Sequence, residues 1–223
     1  MKRRLFLAST AMAGAALMTQ PQTAAAKMEK NQTGKEGVFN LSFQEGIVPT
    51  KTDAKKDPAG AMSEKLDWME KHGVVGLEPW GGGLENRVEE FQKALESRNI
   101  KISAICAGFA GAPCSHDPAE RKKAKDSMTV ILQAAGALGS TGLIYVPAFN
   151  GQSRMSYVGL RYELIEFLNE MAPVAEKANC PLLLEPLTRG ETWYIRQLAD
   201  AAKICGEVNH PFVQMMGDFY HMG

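Results

Sequence analysis

Leu182-Leu183-Leu184-Glu185-Pro186-Leu187-Thr188-Arg189-Gly190-Glu191-Thr192 is the stretch that decides how the chain reads. Pro181–Glu185 is a short apolar run without alternation, as expected of a strand covered on both faces, and it ends on an acid and a polar loop. Five other short runs are strand candidates, most of them nearly continuous in apolar residues: Val38–Phe43, Val74–Glu78, Ile100–Ala107, Gly142–Val146 and Phe212–Met216. Longer amphipathic segments separate them. Met62–His72 stops at Gly73. Leu84–Ser97 follows a Gly81-Gly82-Gly83 turn and sets Leu84, Val88, Phe91 and Leu95 on one face. Pro118–Leu138 opens with Asp117 as a cap and Pro118 in the first turn, and Tyr157–Ala178 and Trp193–Glu207 complete the helices.

Strand and helix alternating in this way give a parallel sheet, either closed as a barrel or open and doubly wound. Two features favour the barrel. Phe43-Gln44-Glu45-Gly46 lacks the glycine spacing of a dinucleotide-binding turn. Polar residues gather just past several strand ends, where barrel enzymes carry their chemistry: Gln44, Glu45, Glu78, Trp80, Glu185, Asp218 and His221. The fold expected is an α/β TIM barrel, (β/α)8, of which residues 37–223 supply about six units. Two further units would need roughly 60 to 80 more residues, so the chain reads as C-terminally truncated and inactive on its own.

The first 26 residues differ in kind. Lys2-Arg3-Arg4 is followed by an apolar or small run to Met18, and Ala24-Ala25-Ala26 offers a signal-peptidase site. Arg3-Arg4-Leu5-Phe6-Leu7 resembles a twin-arginine signal, so export to a bacterial periplasm is expected, with residues 27–36 as linker. The apolar run is too short to anchor the chain in a membrane. Lys plus Arg equals Asp plus Glu at 25 each, so no basic excess exists to meet a nucleic acid. Cys106, Cys114, Cys180 and Cys205 match neither a zinc ribbon nor a redox pair, and no function is assigned to them.

Glu185 and Asp218 each stand where a buried strand meets its loop, in Leu182–Glu185 and in Met216-Gly217-Asp218-Phe219-Tyr220-His221-Met222. Two carboxylates on adjacent barrel strands repel each other, and a divalent metal between them resolves the conflict. Mn²⁺ or Mg²⁺ suits the oxygen donors, with Zn²⁺ or Co²⁺ as alternatives.

These two segments resemble the "LEPLNR…E" and "D-T-F-H-M" signatures of the sugar phosphate isomerase/epimerase superfamily. That group comprises xylose isomerase-like TIM barrels such as ketose 3-epimerases and hydroxypyruvate isomerase. The likeness runs from about residue 38 to 223 and is strongest over 170–222. It implies that Glu185 is a metal ligand that also moves a proton, and that Asp218 is a second ligand. It further implies that His221 and Glu191 bind substrate oxygens, and that Arg189 has a structural or a substrate-binding role. Glu78 and Trp80 are added as candidate substrate contacts from their position after the second strand. Thr188 stands where the signature has asparagine, and Phe219 where it has a small residue. The implied activity is a metal-dependent isomerase or epimerase of a sugar or small hydroxy-carbonyl compound, working by carboxylate proton transfer through a metal-stabilised enediolate. A homo-oligomer is compatible with this reading. The alternatives are an exported lyase or hydrolase of oxidised (keto) sugars and a non-catalytic carbohydrate-binding barrel. The plainer readings are Glu185 ion-paired to Arg189 or Arg196, Asp218 as a helix cap and His221 simply solvated.

Overall fold

The structure, a computed structural model, describes residues 40–222; the signal peptide and linker expected over 1–36 lie outside them. Seven short strands and six α-helices alternate along the chain: β1 (Leu41–Gln44), α1 (Pro58–Lys71), β2 (Val74–Glu78), α2 (Val88–Leu95), β3 (Lys101–Ile102), β4 (Ile105–Cys106), α3 (Pro118–Ala137), β5 (Leu143–Tyr145), α4 (Tyr157–Ala178), β6 (Leu182–Leu184), α5 (Leu198–Val208), β7 (Val213–Met215) and α6 (Phe219–Met222). All strand pairs are parallel, in the orders β1-β2-β3 and β4-β5-β6-β7. A parallel bridge from Trp80 to Cys106 joins the two groups, so the described residues form six consecutive staves of one curved sheet.

The third stave, expected as one strand, is split because Ser103 has other partners. Its N–H and hydroxyl both donate to the Leu77 carbonyl, and its own carbonyl accepts from the N–H and hydroxyl of Thr141. These hydroxyls compete with the regular ladder. The helix expected over Trp193–Glu207 begins only at Leu198. The Thr192 hydroxyl donates to the Ala148 carbonyl and accepts from Tyr194 N–H, which folds Tyr194 and Ile195 into the core as an irregular plug. Leu84–Ser97 likewise breaks into a 3₁₀ turn (Leu84–Asn86) and α2, because Arg87 leaves the helical region to reach Glu45 and Glu90. Helix α1 starts four residues earlier than expected, at Pro58, where the Asp57 carboxylate accepts from Gly60 N–H.

Two-residue alternation sorts the sheet's side chains. Leu143, Tyr145, Leu182 and Leu184 face the helices and join the main core with Leu132, Met128, Leu164 and Phe167. Ile144 and Leu183 point the other way and meet Ala104 and Met216 in a small cluster inside the barrel. Continuing that inward period by two residues carries Leu183 to Glu185, and Gly76 to Glu78. The sheet therefore aims both acids at its mouth.

Candidate metal-binding and active site

Glu185 follows β6 directly, its N–H donating to the Tyr145 carbonyl at 3.1 Å, so its position is fixed by the ladder. Asp218 follows β7 and opens α6. One of its carboxylate oxygens, Oδ1, accepts from Tyr220 N–H at 2.8 Å, and its carbonyl accepts from His221 N–H at 3.0 Å. The capping role is thus real, and it is part of the site: a turn of helix places His221 on the same side as Asp218. Glu185, Asp218 and His221 each offer one ligand atom, all within 4.8 Å of one another. His221, with its side chain 11% exposed, is not the solvated histidine of the plainer reading. Its Nε2 lies 3.8 Å from Glu185 Oε1, and its Nδ1 lies 3.1 Å from Glu191 Oε2. That second contact has ion-pair distance without hydrogen-bond alignment, which leaves the buried Nδ1 without a hydrogen-bond partner.

The electrostatics are those of crowded acid. Burial pushes the Glu185 carboxyl up to about 7, His221 works against that, and Asp218, Glu78 and Glu191 add to it. Glu78 is also raised, chiefly by burial, with the Gln44 amide opposing and Asp218 reinforcing. Glu191 is held by the Thr188 hydroxyl at 2.8 Å. Two carboxylates and one imidazole around a common point, with further acids nearby, have the chemistry of a divalent-cation site. Glu185 and Asp218 supply oxygens and His221 a nitrogen, so the donor set fits Mn²⁺ or Mg²⁺ and also Zn²⁺ or Co²⁺.

Arg189 and Arg196 make no ion pair with Glu185; they line a neighbouring cavity with His221. Trp80 is 58% exposed at the mouth, its backbone paired to Cys106. Its indole nitrogen would lie 2.8 Å from a Cβ at Gly82, so that glycine seats the ring. Glu45, grouped in the sequence with the mouth residues, instead takes a two-pronged contact from Arg87 at 2.8 Å on both prongs, away from the acids. Cys106 joins the site without having been singled out by its sequence context. Its Sγ accepts from Gln44 Nε2 at 3.6 Å, and Glu78 and Glu185 are close enough to reinforce the burial that holds its thiol up at about 11. The inward period counted from Ala104 is the signal that points to it.

Comparison with known proteins agrees with this architecture. Residues 56–223 match the family described as xylose isomerase-like TIM barrel. The chain is 30% identical over 168 residues to the 3-dehydro-D-guloside 4-epimerase of Escherichia coli (strain K12), a match covering 71% of this chain and 64% of that protein. The apo crystal structure of 3-keto-D-glucoside 4-epimerase from E. coli superposes with a TM-score of 0.69 at 26% identity, over 82% of this chain and 68% of that one. D-psicose 3-epimerase from Clostridium cellulolyticum H10, crystallised with D-tagatose, superposes with a TM-score of 0.69 at 20% identity, over 82% and 65%. The chain thus spans a little under two thirds, 64%, of the length of the curated relative it matches. With the matched region running from α1 through the site residues, the chain belongs to the xylose isomerase-like TIM barrel family of the sugar isomerase and epimerase superfamily.

Proposed function

We propose that this chain carries metal-binding and proton-transfer residues of a sugar epimerase that inverts a carbon beside a ketone, with 3-keto-glycosides as the substrate class. The convergence of Glu185, Asp218 and His221 within 4.8 Å carries the reading. A C–H next to a carbonyl releases its proton only when the charge left on oxygen is stabilised. A divalent ion held by Glu185, Asp218 and His221 would supply that stabilisation when bound. Glu185, near 7, is suited to accept the proton from one face of the carbon at neutral pH, and inversion requires a second acid to deliver one to the opposite face. Glu191 beside Nδ1 favours a proton on that nitrogen and leaves Nε2 facing Glu185. The exposed Trp80 indole offers an apolar face for a sugar ring, and Glu78 an acceptor for its hydroxyls.

The 3-keto substrate is favoured over a free ketose by the relatives. Those at 30% and 26% identity are named for 4-epimerisation of 3-keto (3-dehydro) sugars, whereas the D-psicose 3-epimerase stands at 20%. The test is Mn²⁺ content of the wild type, Glu185→Gln and Asp218→Asn, followed by NMR of deuterium uptake at C4 of methyl 3-keto-glucoside. Metal in the wild type, lost in both variants, with C4 exchange dependent on Glu185, is expected. A wild type that binds no metal would sink the reading. Release of methanol in place of C4 exchange would move it to a keto-sugar lyase.

A further inference from the structure

We infer that the cavity beside His221 is an anion subsite, so that the sugar taken by this site carries a carboxylate or phosphate substituent; this rests on the epimerase reading above. The cavity, about 210 Å³, is bounded by Leu187, Thr188, Arg189, Arg196, Gln197 and His221. Seven arginines fall among the described residues. Four are neutralised by acids: Arg87 by Glu45 and Glu90, Arg98 by Asp67 and Glu70, Arg121 by Glu163 and Glu166, and Arg161 by Glu207. The other three have no acidic partner among the described residues, and all stand on loops at the mouth. Arg154 lies between β5 and α4, and Arg189 and Arg196 lie between β6 and α5.

The loop that carries Arg189 and Arg196 is built, not slack. Leu187 N–H donates to the Ile195 carbonyl at 3.1 Å and closes its base. Asn150 Nδ2 donates to the carbonyls of Arg189 and Gly190 at 3.2 and 3.0 Å, and Asn150 N–H donates to the Glu191 carbonyl at 2.7 Å. These bonds fix where both guanidinium side chains start. The acids of the adjoining site, Glu185 and Glu191, contact His221 and Thr188. Two cations lining one concavity repel, and an oxyanion relieves that repulsion while matching the planar fork of each guanidinium. The N-terminus of α5 has no side-chain cap at Gln197, and its positive end is offset by Asp200 in the first turn, so the field at the cavity comes from the two arginines. His221 belongs both to this cavity and to the metal-ligand group, so a sugar held there would place its charged substituent against the arginines.

The test measures binding of methyl β-D-glucuronide, methyl β-D-glucoside and glucose 6-phosphate by calorimetry in the presence of Mn²⁺. It compares wild type with the R189Q/R196Q and R189K/R196K pairs. The glucuronide should bind the wild type at least about tenfold more tightly than the glucoside, the scale of one charge-assisted contact at a partly exposed site. That ratio should shrink with added salt, fall to about one in the Gln pair and survive in part in the Lys pair. Tighter binding of glucose 6-phosphate than of the glucuronide would assign the subsite to phosphate esters. Equal affinity of charged and neutral sugars in the wild type, no binding of any of them, or a ratio unchanged in the Gln pair overturns the inference. Mn²⁺ retention in the same samples separates the two readings. Glu185-dependent metal with no anion preference removes the subsite alone, and absence of metal removes the epimerase.

Discussion

Replacing Glu185 by glutamine should stabilise the metal-free protein at pH 8 and weaken it once Mn²⁺ is present. In the folded chain this carboxyl is raised from an ordinary 4.5 to about 7, mainly by burial. Between those values the folded chain holds a proton that the unfolded chain has released. The group's contribution is therefore intact below pH 4.5 and is lost as pH rises through 7. At about 1.4 kcal/mol per tenfold change in proton affinity the full penalty is about 3 kcal/mol. The mouth is open to water, and screening reduces this to about 1–2 kcal/mol. Glutamine keeps the shape and removes the charge, so the metal-free variant should melt about 2–8 °C above wild type at pH 8, and the two should converge near pH 5. Adding Mn²⁺ at a hundred times its Kd should lift the wild type by about 2.7 kcal/mol and leave the variant in place, reversing the order. Differential scanning calorimetry at both pH values, with and without Mn²⁺, reads all four states. A metal-free variant that melts below wild type at pH 8, or a gap that ignores pH, would refute the account of Glu185 as an acid raised by burial.

Three further outcomes are expected. Gly136→Ala should cost about 2–3 kcal/mol in denaturant unfolding, because a Cβ there would collide with the Ala178 carbonyl where α3 crosses the end of α4; a change under about 0.5 kcal/mol would mean the helices can part cheaply. Ala107→Gly should raise stability by about 1 kcal/mol with metal binding unchanged, since Ala107 sits at φ +40°, where a side chain is strained; a lower melting temperature would contradict the strain. Export by the twin-arginine route, proposed from Arg3-Arg4, should be abolished by replacing both with lysine, and mass spectrometry of the exported wild type should find an N-terminus just after Ala26. Unimpaired export of the lysine variant would assign the chain to another pathway.

Much of the molecule is legible in its sequence, because much of its structure is local. The strand Val74–Glu78 and the helix Tyr157–Ala178 fall at the bounds their patterns indicate, and Asp117 caps α3 as its position before Pro118 requires. The pairing of Asp218 with a histidine three residues on is also local, since one helical turn brings them together. Other features answer to partners distant in sequence. Trp193-Tyr194-Ile195 has the apolar content of a helix start, yet Thr192 is claimed by Ala148, 44 residues away, and the segment becomes a core plug. Glu45 resembles a mouth acid until Arg87, 42 residues on, draws it off.

Sequence by itself determined the residue types at the strand ends, the acids Glu185 and Asp218 among them, and the alternation that demands a parallel sheet. Only the tertiary structure decided that Glu185, Asp218 and His221 share one point and that Cys106 and Gln44 join the same mouth. It also decided that Arg189 and Arg196 face a common cavity with no acid to neutralise them among the described residues. The reason is register: β6 and β7 pair Leu184 with Met215, and that alignment, fixed by backbone hydrogen bonds and core packing across 31 residues of chain, sets the distance between the carboxylates.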